Sequence, residues 1–338
     1  MDILRTLDPL SFYDHFRSTK KTRPDGRLQH EIRETRQKSF CLSSDISDGS
    51  SSITLGSTSI LANVTCIPLS PNDDNFHTSD SSSIAVTVLL PERRSGRVLF
   101  SSSSSRSGAL ALRLEHALNL CLKRSSLDVN YMLLGDDNDK NKVSNKISKQ
   151  VERKVTLNKD STVTKQGWQI LLELVCTSYD GNITDAAFLS ACTALRCTTY
   201  PTIYTTFGVE IYSNGHRFLA KSVSKGLEFS YFPISFTLVR IKGGSDFVCD
   251  PSSSNIEDEL LSSLISGSAV PLGTTTLSTA IISIEVPLAL CEETQGMYKD
   301  VLLNVSTSGY PTIEESEVEE AVILAKERIL KLKQLFFV

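Results

Sequence analysis

Charge of one sign is missing from this sequence: 35 lysines and arginines stand against 39 aspartates and glutamates, a formal net charge of −4. That balance excludes a globally cationic surface, so any contact with nucleic acid must come from local basic patches. No apolar run is long enough to span a bilayer, and Met1-Asp2-Ile3-Leu4-Arg5 lacks the basic-then-apolar build of a secretory signal. The expectation is a protein without a membrane partner, on the nucleocytoplasmic side. The 8 cysteines, Cys41, Cys66, Cys121, Cys176, Cys192, Cys197, Cys249 and Cys291, include no CxxC pair and sit mostly within apolar segments. They read as small buried thiols and not as a zinc site or disulfide framework. His15, His30, His77, His116 and His216 show no metal-ligand spacing, and neither a GxxxxGK[ST] loop nor a GxSxG elbow is present. No metal and no cofactor is expected.

What the chain does have is enough apolar residue, 40% of its 338, to bury a full core as one large domain or two small ones. Leu4, Leu7, Leu10, Phe12, Tyr13 and Phe16 supply an apolar face to an N-terminal docking helix, with Pro9 as its start or break. Arg23-Pro24-Asp25-Gly26-Arg27 punctuates a turn flanked by two guanidinium groups. Ile53, Leu55, Ile60, Ala62 and Val64 alternate around Gly56-Ser57 as in a strand hairpin, and a third strand runs from Ile84 to Leu90. The serines from Ser101 to Ser105 read as a mobile loop, the stretch from Ala109 to Lys123 as an amphipathic helix, and Asp136 to Lys154 as an exposed insertion.

The second half repeats this strand-then-helix order. Trp168 to Cys176 is a nearly continuous apolar strand, Ser178 to Asn182 turns, and Thr184 or Asp185 caps a helix through Ala186, Leu189 and Leu195. Strands are expected at Ile234 to Ile241, Asp246 to Val248 and Thr279 to Val286, with a hairpin turn at Gly243-Gly244. The helix from Glu314 to Phe336 has an acidic start and a basic finish that suit the helix dipole. The pattern is α+β with an approximate internal duplication.

Four segments, in this order, carry a resemblance. They are Pro9 to Tyr13 with Arg23-Pro24-Asp25-Gly26-Arg27; Asp48-Gly49-Ser50-Ser51 with Leu55-Gly56-Ser57-Thr58; Tyr179-Asp180-Gly181-Asn182 with Asp185-Ala186-Ala187; and Pro233-Ile234-Ser235-Phe236-Thr237 with Asp250-Pro251. The chain resembles the RNase PH-like ring subunits of the eukaryotic RNA exosome. The resemblance implies the RNase PH-like fold (ribosomal protein S5 domain 2-like), with two pseudo-repeated βαβ-type halves whose sheets pack on helices. It implies a docking segment at 1–22 and an RNase PH-like domain at 23–338, with flexible insertions at 70–83, 101–107 and 136–154. Arg23, Asp25, Gly26, Arg27, Asp180, Gly181, Asn182 and Asp185 are its structural motif residues. The implied partners are other RNase PH-like ring subunits, cap subunits with RNA-binding domains, a separate catalytic ribonuclease and single-stranded RNA in the channel. The implied location is nucleus, nucleolus and cytoplasm.

Phosphorolysis needs a phosphate held by cations and hydroxyls near a helix N-terminus, and carboxylates at the reacting phosphodiester. The family's acidic pair falls before Pro233, where Lys221 to Phe236 holds Glu228 alone. Arg106-Ser107-Gly108 offers an incomplete phosphate cradle, and Asp180 and Asp185 read as turn and cap residues. The expectation is a ring subunit without catalytic residues. An active phosphate-dependent 3′-exoribonuclease is the alternative. RNA contact is assigned to Arg93, Arg94, Arg97 and Arg106, whose guanidiniums cluster beside a glycine turn and hold phosphates without reading sequence; a solvated charge cluster is the bland alternative.

Overall fold

The computed structural model describes residues 9–40, 47–68, 84–94, 97–100, 106–124, 168–201, 224–227, 231–241, 247–252, 277–287, 302–309 and 313–336. In chain order the elements are α1 (Pro9–Lys20), β1 (Thr35–Phe40), β2 (Gly49–Leu55), β3 (Thr58–Pro68), β4 (Ile84–Leu89), β5 (Pro91–Arg94), β6 (Arg97–Phe100), α2 (Arg106–Arg124) and β7 (Trp168–Ser178). There follow α3 (Ile183–Arg196), β8 (Thr199–Pro201), β9 (Ser224–Gly226), β10 (Tyr231–Ile241), β11 (Val248–Cys249), β12 (Leu277–Pro287), β13 (Leu302–Gly309) and α4 (Glu315–Phe336). The expected loop at 101–105 and the insertions at 70–83 and 136–154 lie outside the described residues, as do residues 1–8 and Gly243-Gly244.

Pro9 opens α1, where its missing N–H leaves no helical bond unmade. Phe12 is buried and meets Phe16 edge-on, ring centroids 5.1 Å apart. β2 and β3 form the expected hairpin, turning at Gly56 with φ 58°, a left-handed conformation glycine adopts freely. The first sheet runs β1-β2-β3-β7-β4. Its last pair, β4 and β7, is parallel, so the chain must cross over between them, and α2 lies in that crossover. Alternation along the strands puts Ile60, Ala62, Val64, Val86, Val88, Ile170, Leu172 and Leu174 on the inner face, in one core with Leu114, Leu118 and Cys121 of α2.

α3 lies between the first sheet and the second, against β2 and β3 on one side and β10 on the other. Every residue from Ile183 to Leu195 is buried. Small residues make this possible: Ala186, Ala187, Ser190, Ala191 and Ala194 let both backbones come close. Ser51 Oγ donates to Ser190 O at 2.8 Å, Ser190 Oγ approaches Ile60 O at 3.3 Å, and Cys192 Sγ approaches Pro233 O at 3.0 Å. Their hydroxyls thus find partners in a helix with no solvent face.

The second sheet runs β11-β10-β12-β13 through antiparallel pairs. Ile234, Phe236, Leu238, Ile282 and Ile284 share a core with Ala321, Ala325, Ile329 and Leu332 of α4. That helix begins as its composition predicts. The Glu317 carboxylate accepts the Glu314 N–H at 2.8 Å, half of a capping box, and also pairs with Arg240 of β10. Sheets packed on helices give the expected α+β architecture. Several expected boundaries shift: the strand at Asp246 to Val248 is Val248–Cys249, α2 begins at Arg106, ahead of Ala109, β10 begins at Tyr231, ahead of Ile234, and β12 runs Leu277–Pro287 where Thr279 to Val286 was expected.

Gly49, first in β2, passes under the end of α3. A Cβ there would lie 2.4 Å from Thr198 Oγ1, 2.7 Å from Thr198 Cα and 2.8 Å from Ala194 O. Two of these atoms are backbone and cannot swing aside. Gly49→Ala is therefore expected to lower the unfolding free energy by about 1–3 kcal/mol, the range for overpacking a filled interior; urea unfolding measures it.

Candidate functional site

The turn after α1 is tied by its own backbone, Arg23 N–H to Arg27 O at 2.8 Å and Gly26 N–H to Arg23 O at 2.9 Å. Gly26, at φ 87°, takes the conformation a side chain would resist. Asp25 then holds Arg27, accepting its Nε at 2.8 Å and its backbone N–H at 3.1 Å, so the guanidinium is aimed before it meets anything distant.

What it meets is Asp250, more than two hundred residues on and with no exposed surface. Arg27 Nη1 donates to Asp250 Oδ2 at 2.9 Å. Arg33 reaches the same carboxylate three times: backbone N–H and Nε to Oδ2, each at 2.9 Å, and Nη2 to Oδ1 at 2.8 Å. Asn182 Nδ2 adds a donor to Oδ1 at 2.9 Å. Arg23, only 1% exposed, takes the backbone of the same segment, Nη1 to Cys249 O at 2.7 Å and Nη2 to Asp250 O at 3.0 Å. Burial works against the Asp250 carboxylate, but the hydrogen bonds and charge of Arg33, with Asn182, outweigh it and hold its pKa below the ordinary value.

The turn between β7 and α3 closes the cluster from the other side. Arg33 Nη1 donates to the Asp180 carboxylate at 3.2 Å and to the Asp180 carbonyl, while Nη2 reaches Gly181 O at 3.2 Å. Asn182 spans two acids, donating from Nδ2 to Asp185 Oδ2 at 2.9 Å as well as to Asp250. Asp185 in turn accepts Thr237 Oγ1 at 2.8 Å and Thr237 N–H at 3.1 Å, tying the first turn of α3 to β10. Burial pushes the Asp185 carboxyl up to about 6, against the hydrogen bonds from Asn182 and Thr237. Asn182 at φ 49° and Asp250 at φ 51° are both left-handed without being glycine. Such strain persists where the surroundings fix a residue from several sides.

All eight motif residues, Arg23, Asp25, Gly26, Arg27, Asp180, Gly181, Asn182 and Asp185, are thus in the turns and contacts of one cluster. One role is corrected. Neither Thr184 nor Asp185 caps α3: the N-cap is Asn182 with no side-chain cap bond, because its amide is drawn to Asp250 and the Asp185 carboxylate to Thr237. Two members were not among the site residues read from the sequence. Arg33 is one, and Asp250, noted only within the Asp250-Pro251 dipeptide, is the hub.

A carboxylate held by two guanidiniums, an amide and a backbone N–H has no lone pair left for a metal ion or a reacting proton. The arrangement is a clasp between distant segments.

The arginines assigned to RNA are elsewhere in the fold. Arg93 and Arg94 end β5, Arg97 begins β6, and Arg94 and Arg97 are cross-strand partners on either side of residues 95–96. They belong to a two-stranded ribbon and not to a loop, which corrects the expected setting. Arg106 is the first residue of α2. Their side chains lie outside the described residues.

Residues 31–201 match the family model described as 3′ exoribonuclease family, domain 1. Among solved structures the chain is similar to one from an Archaeoglobus fulgidus exosome with RNA bound to the active site, at 18% identity and TM-score 0.62, covering 99% of this chain and 98% of that one. A chain of an archaeal exosome core gives 17% identity and TM-score 0.60, with 99% of each covered. Rice (Oryza sativa) Rrp46 gives 14% identity and TM-score 0.49, covering 93% of this chain and 97% of that one.

Removing the hub leaves buried arginines without a counter-charge, so Asp250→Ala is expected to cost about 3–5 kcal/mol of stability. The pH dependence follows from the two opposite shifts. Asp250, depressed in the fold, stabilises above its unfolded pKa of about 3.9 and loses that contribution as pH falls through its folded value. Asp185, raised to about 6, contributes fully at low pH and loses that contribution as pH rises through about 6. Thermal unfolding between pH 3 and pH 8 is expected to show a shallower acid limb in Asp250→Asn and a flatter slope between about pH 4 and pH 7 in Asp185→Asn.

Proposed function

The chain belongs to the 3′ exoribonuclease (RNase PH) family, and on that premise we propose that it is a non-catalytic ring subunit of an RNA exosome, one that helps form the RNA channel and does not cut RNA. Its fold is the one seen in chains of archaeal exosome cores, over nearly their whole length. The observation that carries catalytic silence is where the acidic residues stand. From Lys221 to Phe236 Glu228 is the one acid, and the aspartates of the motif segments are engaged: Asp25 by Arg27, Asp48 by the Cys66 N–H, Asp180 by Arg33, Asp185 by Thr237 and Asp250 by Asn182 and Arg33. Phosphorolysis needs carboxylates free to act on the phosphodiester or on a metal ion.

In this role the chain sits among other RNase PH-like ring subunits, with cap subunits carrying RNA-binding domains above and a separate catalytic ribonuclease receiving the RNA. It stands with the long non-catalytic ring subunits, of the ribosomal RNA-processing protein forty-three kind. It supports rRNA maturation and mRNA turnover in nucleus, nucleolus and cytoplasm. Arg93, Arg94, Arg97 and Arg106 supply phosphate contacts, which position single-stranded RNA without selecting sequence.

Purified chain given single-stranded RNA, magnesium and inorganic phosphate is expected to release no nucleoside diphosphate. Phosphate-dependent release would establish the active exoribonuclease instead. Charge reversal at Arg94 and Arg97 is expected to weaken nuclease protection of RNA in the assembled particle while its subunit composition stays the same; unchanged protection would remove these arginines from the channel.

A further inference from the structure

The two edges of the five-stranded sheet are finished differently. At the β4 edge Glu115 of α2 turns its carboxylate onto the strand and accepts the Val88 N–H at 2.7 Å, occupying a donor that a further strand would need. At the other end stands β1, six residues and so about 20 Å long, paired on one side to β2. No other described strand pairs with it. Gly56 N–H donates to Glu34 O at 2.9 Å, which makes Glu34 and Gly56 a hydrogen-bonded pair and sets the phase of the ladder. Arg36 and Lys38 therefore bond to β2 through their backbone, and the N–H and C=O groups of Thr35, Gln37 and Ser39 point away from the sheet.

The side chains sort by the same alternation. Thr35 and Gln37 oppose Leu55 and Ile53, which are buried, and Arg328 of α4 reaches Thr35 from that side. Arg36 and Lys38 oppose Thr54 and Ser52 on the outer face and are exposed. A groove of about 470 Å³ is lined there by Glu34, Arg36, Gln37, Lys38, Thr54 and Gly56. Glu34 forks onto Arg36, accepting Nε at 3.0 Å and Nη2 at 2.8 Å, but both side chains are exposed, and such a surface pair exchanges readily for another carboxylate. Lys38 pairs with no described carboxylate.

Charge decides what can pair here. A second copy of this edge, laid antiparallel, would set arginine and lysine against arginine and lysine, and like charges opposite one another weaken a sheet. An extended chain with carboxylates at alternate positions places them over Arg36 and Lys38 while its backbone meets Thr35, Gln37 and Ser39. Single-stranded nucleic acid fits less well, because no aromatic ring lines the groove for a base to stack on. We propose that the open edge of β1 binds an acidic, extended segment of a partner protein, which joins the sheet as an added strand with its carboxylates over Arg36 and Lys38. The site rests on strand order, ladder phase and charge, and it stands or falls apart from the ring-subunit function.

The test is fluorescence anisotropy of a labelled peptide of alternating glutamate and valine, long enough to span β1, titrated with the purified full-length chain. Companion peptides carry lysine for glutamate, the same residues in block order, or N-methyl groups on the valines alone or on the glutamates alone. The alternating acidic peptide is expected to bind, and the lysine and block peptides are not. One methylated form is expected to lose binding and the other to keep it, because only alternate N–H groups of an added strand face β1. Arg36→Glu/Lys38→Glu is expected to weaken binding by about tenfold or more at unchanged thermal stability, and Lys326→Glu on the exposed side of α4 to leave it unchanged. Gln37→Pro removes an outward N–H while sparing the bonds to β2, and it too is expected to lose binding. No binding of the alternating peptide overturns the site. An equal effect of the two methylated forms, or equal binding of the block peptide, overturns strand addition. Displacement of the peptide by oligouridylate overturns the protein partner and assigns the groove to nucleic acid.

Discussion

One buried carboxylate holds this molecule's distant parts in register. Asp250 has no exposed surface, lies between β11 and the segment beyond it, and accepts from Arg27, Arg33 and Asn182 at 2.8–2.9 Å. Those donors come from the turn after α1, the approach to β1 and the turn before α3. Through Asn182 the same cluster reaches Asp185, and through Asp185 it reaches Thr237 on β10. A fourth cation approaches from the last helix: Arg328 is half-buried and its desolvation lowers its pKa, while Asp185 and Asp250 pull it back up, and its Nη2 donates to Thr35 Oγ1 at 2.9 Å. A hydrophobic contact at this junction would be non-directional. Charged groups with fixed hydrogen-bond geometry permit one arrangement of these segments, and a buried charge left without its partner is costly enough to exclude the others.

The same constraint bears on chemistry. Phosphorolysis requires acids with free lone pairs, whereas Asp250 has its own taken by arginine and asparagine, Asp185 accepts from threonine and asparagine, and Asp180 pairs with Arg33. The motif residues that carry the resemblance are engaged in structural contacts, and the RNA contacts proposed above lie apart from them, on the β5–β6 ribbon and the start of α2. Architecture and proposed silence are therefore consequences of one allocation of side chains.

Much of the fold was legible in the sequence because it is written in periodicity. The alternation around Gly56, the apolar run from Trp168 and the stripe from Val318 to Leu332 gave β2, β3, β7 and α4 to within a few residues. β1 and β13 escaped notice for a physical reason. Thr35-Arg36-Gln37-Lys38 has no apolar alternation because it is an edge with both side-chain rows at least partly in water, and after Leu302 and Leu303 the strand to Gly309 is small and polar save for Val305. The clasp was half visible. Arg23 and Arg27 read as guanidiniums flanking a turn and as structural motif residues, but nothing local tells that their acceptors lie more than two hundred residues away. Asp185 was read as a cap because aspartate near a helix start commonly is one, and tertiary partners drew it elsewhere. Arg33 carries no motif of its own, and only the assembled turn reveals it.

The central claim is that a family member with its acids engaged in a clasp carries RNA past and leaves the cutting to another subunit. Electron cryomicroscopy of the particle purified through this chain and loaded with a long single-stranded RNA tests it most directly. The account predicts this chain as one member of a six-membered ring, with RNA density running past the β5–β6 ribbon toward a different subunit. An RNA 3′ end seated on this chain beside a bound phosphate would contradict it.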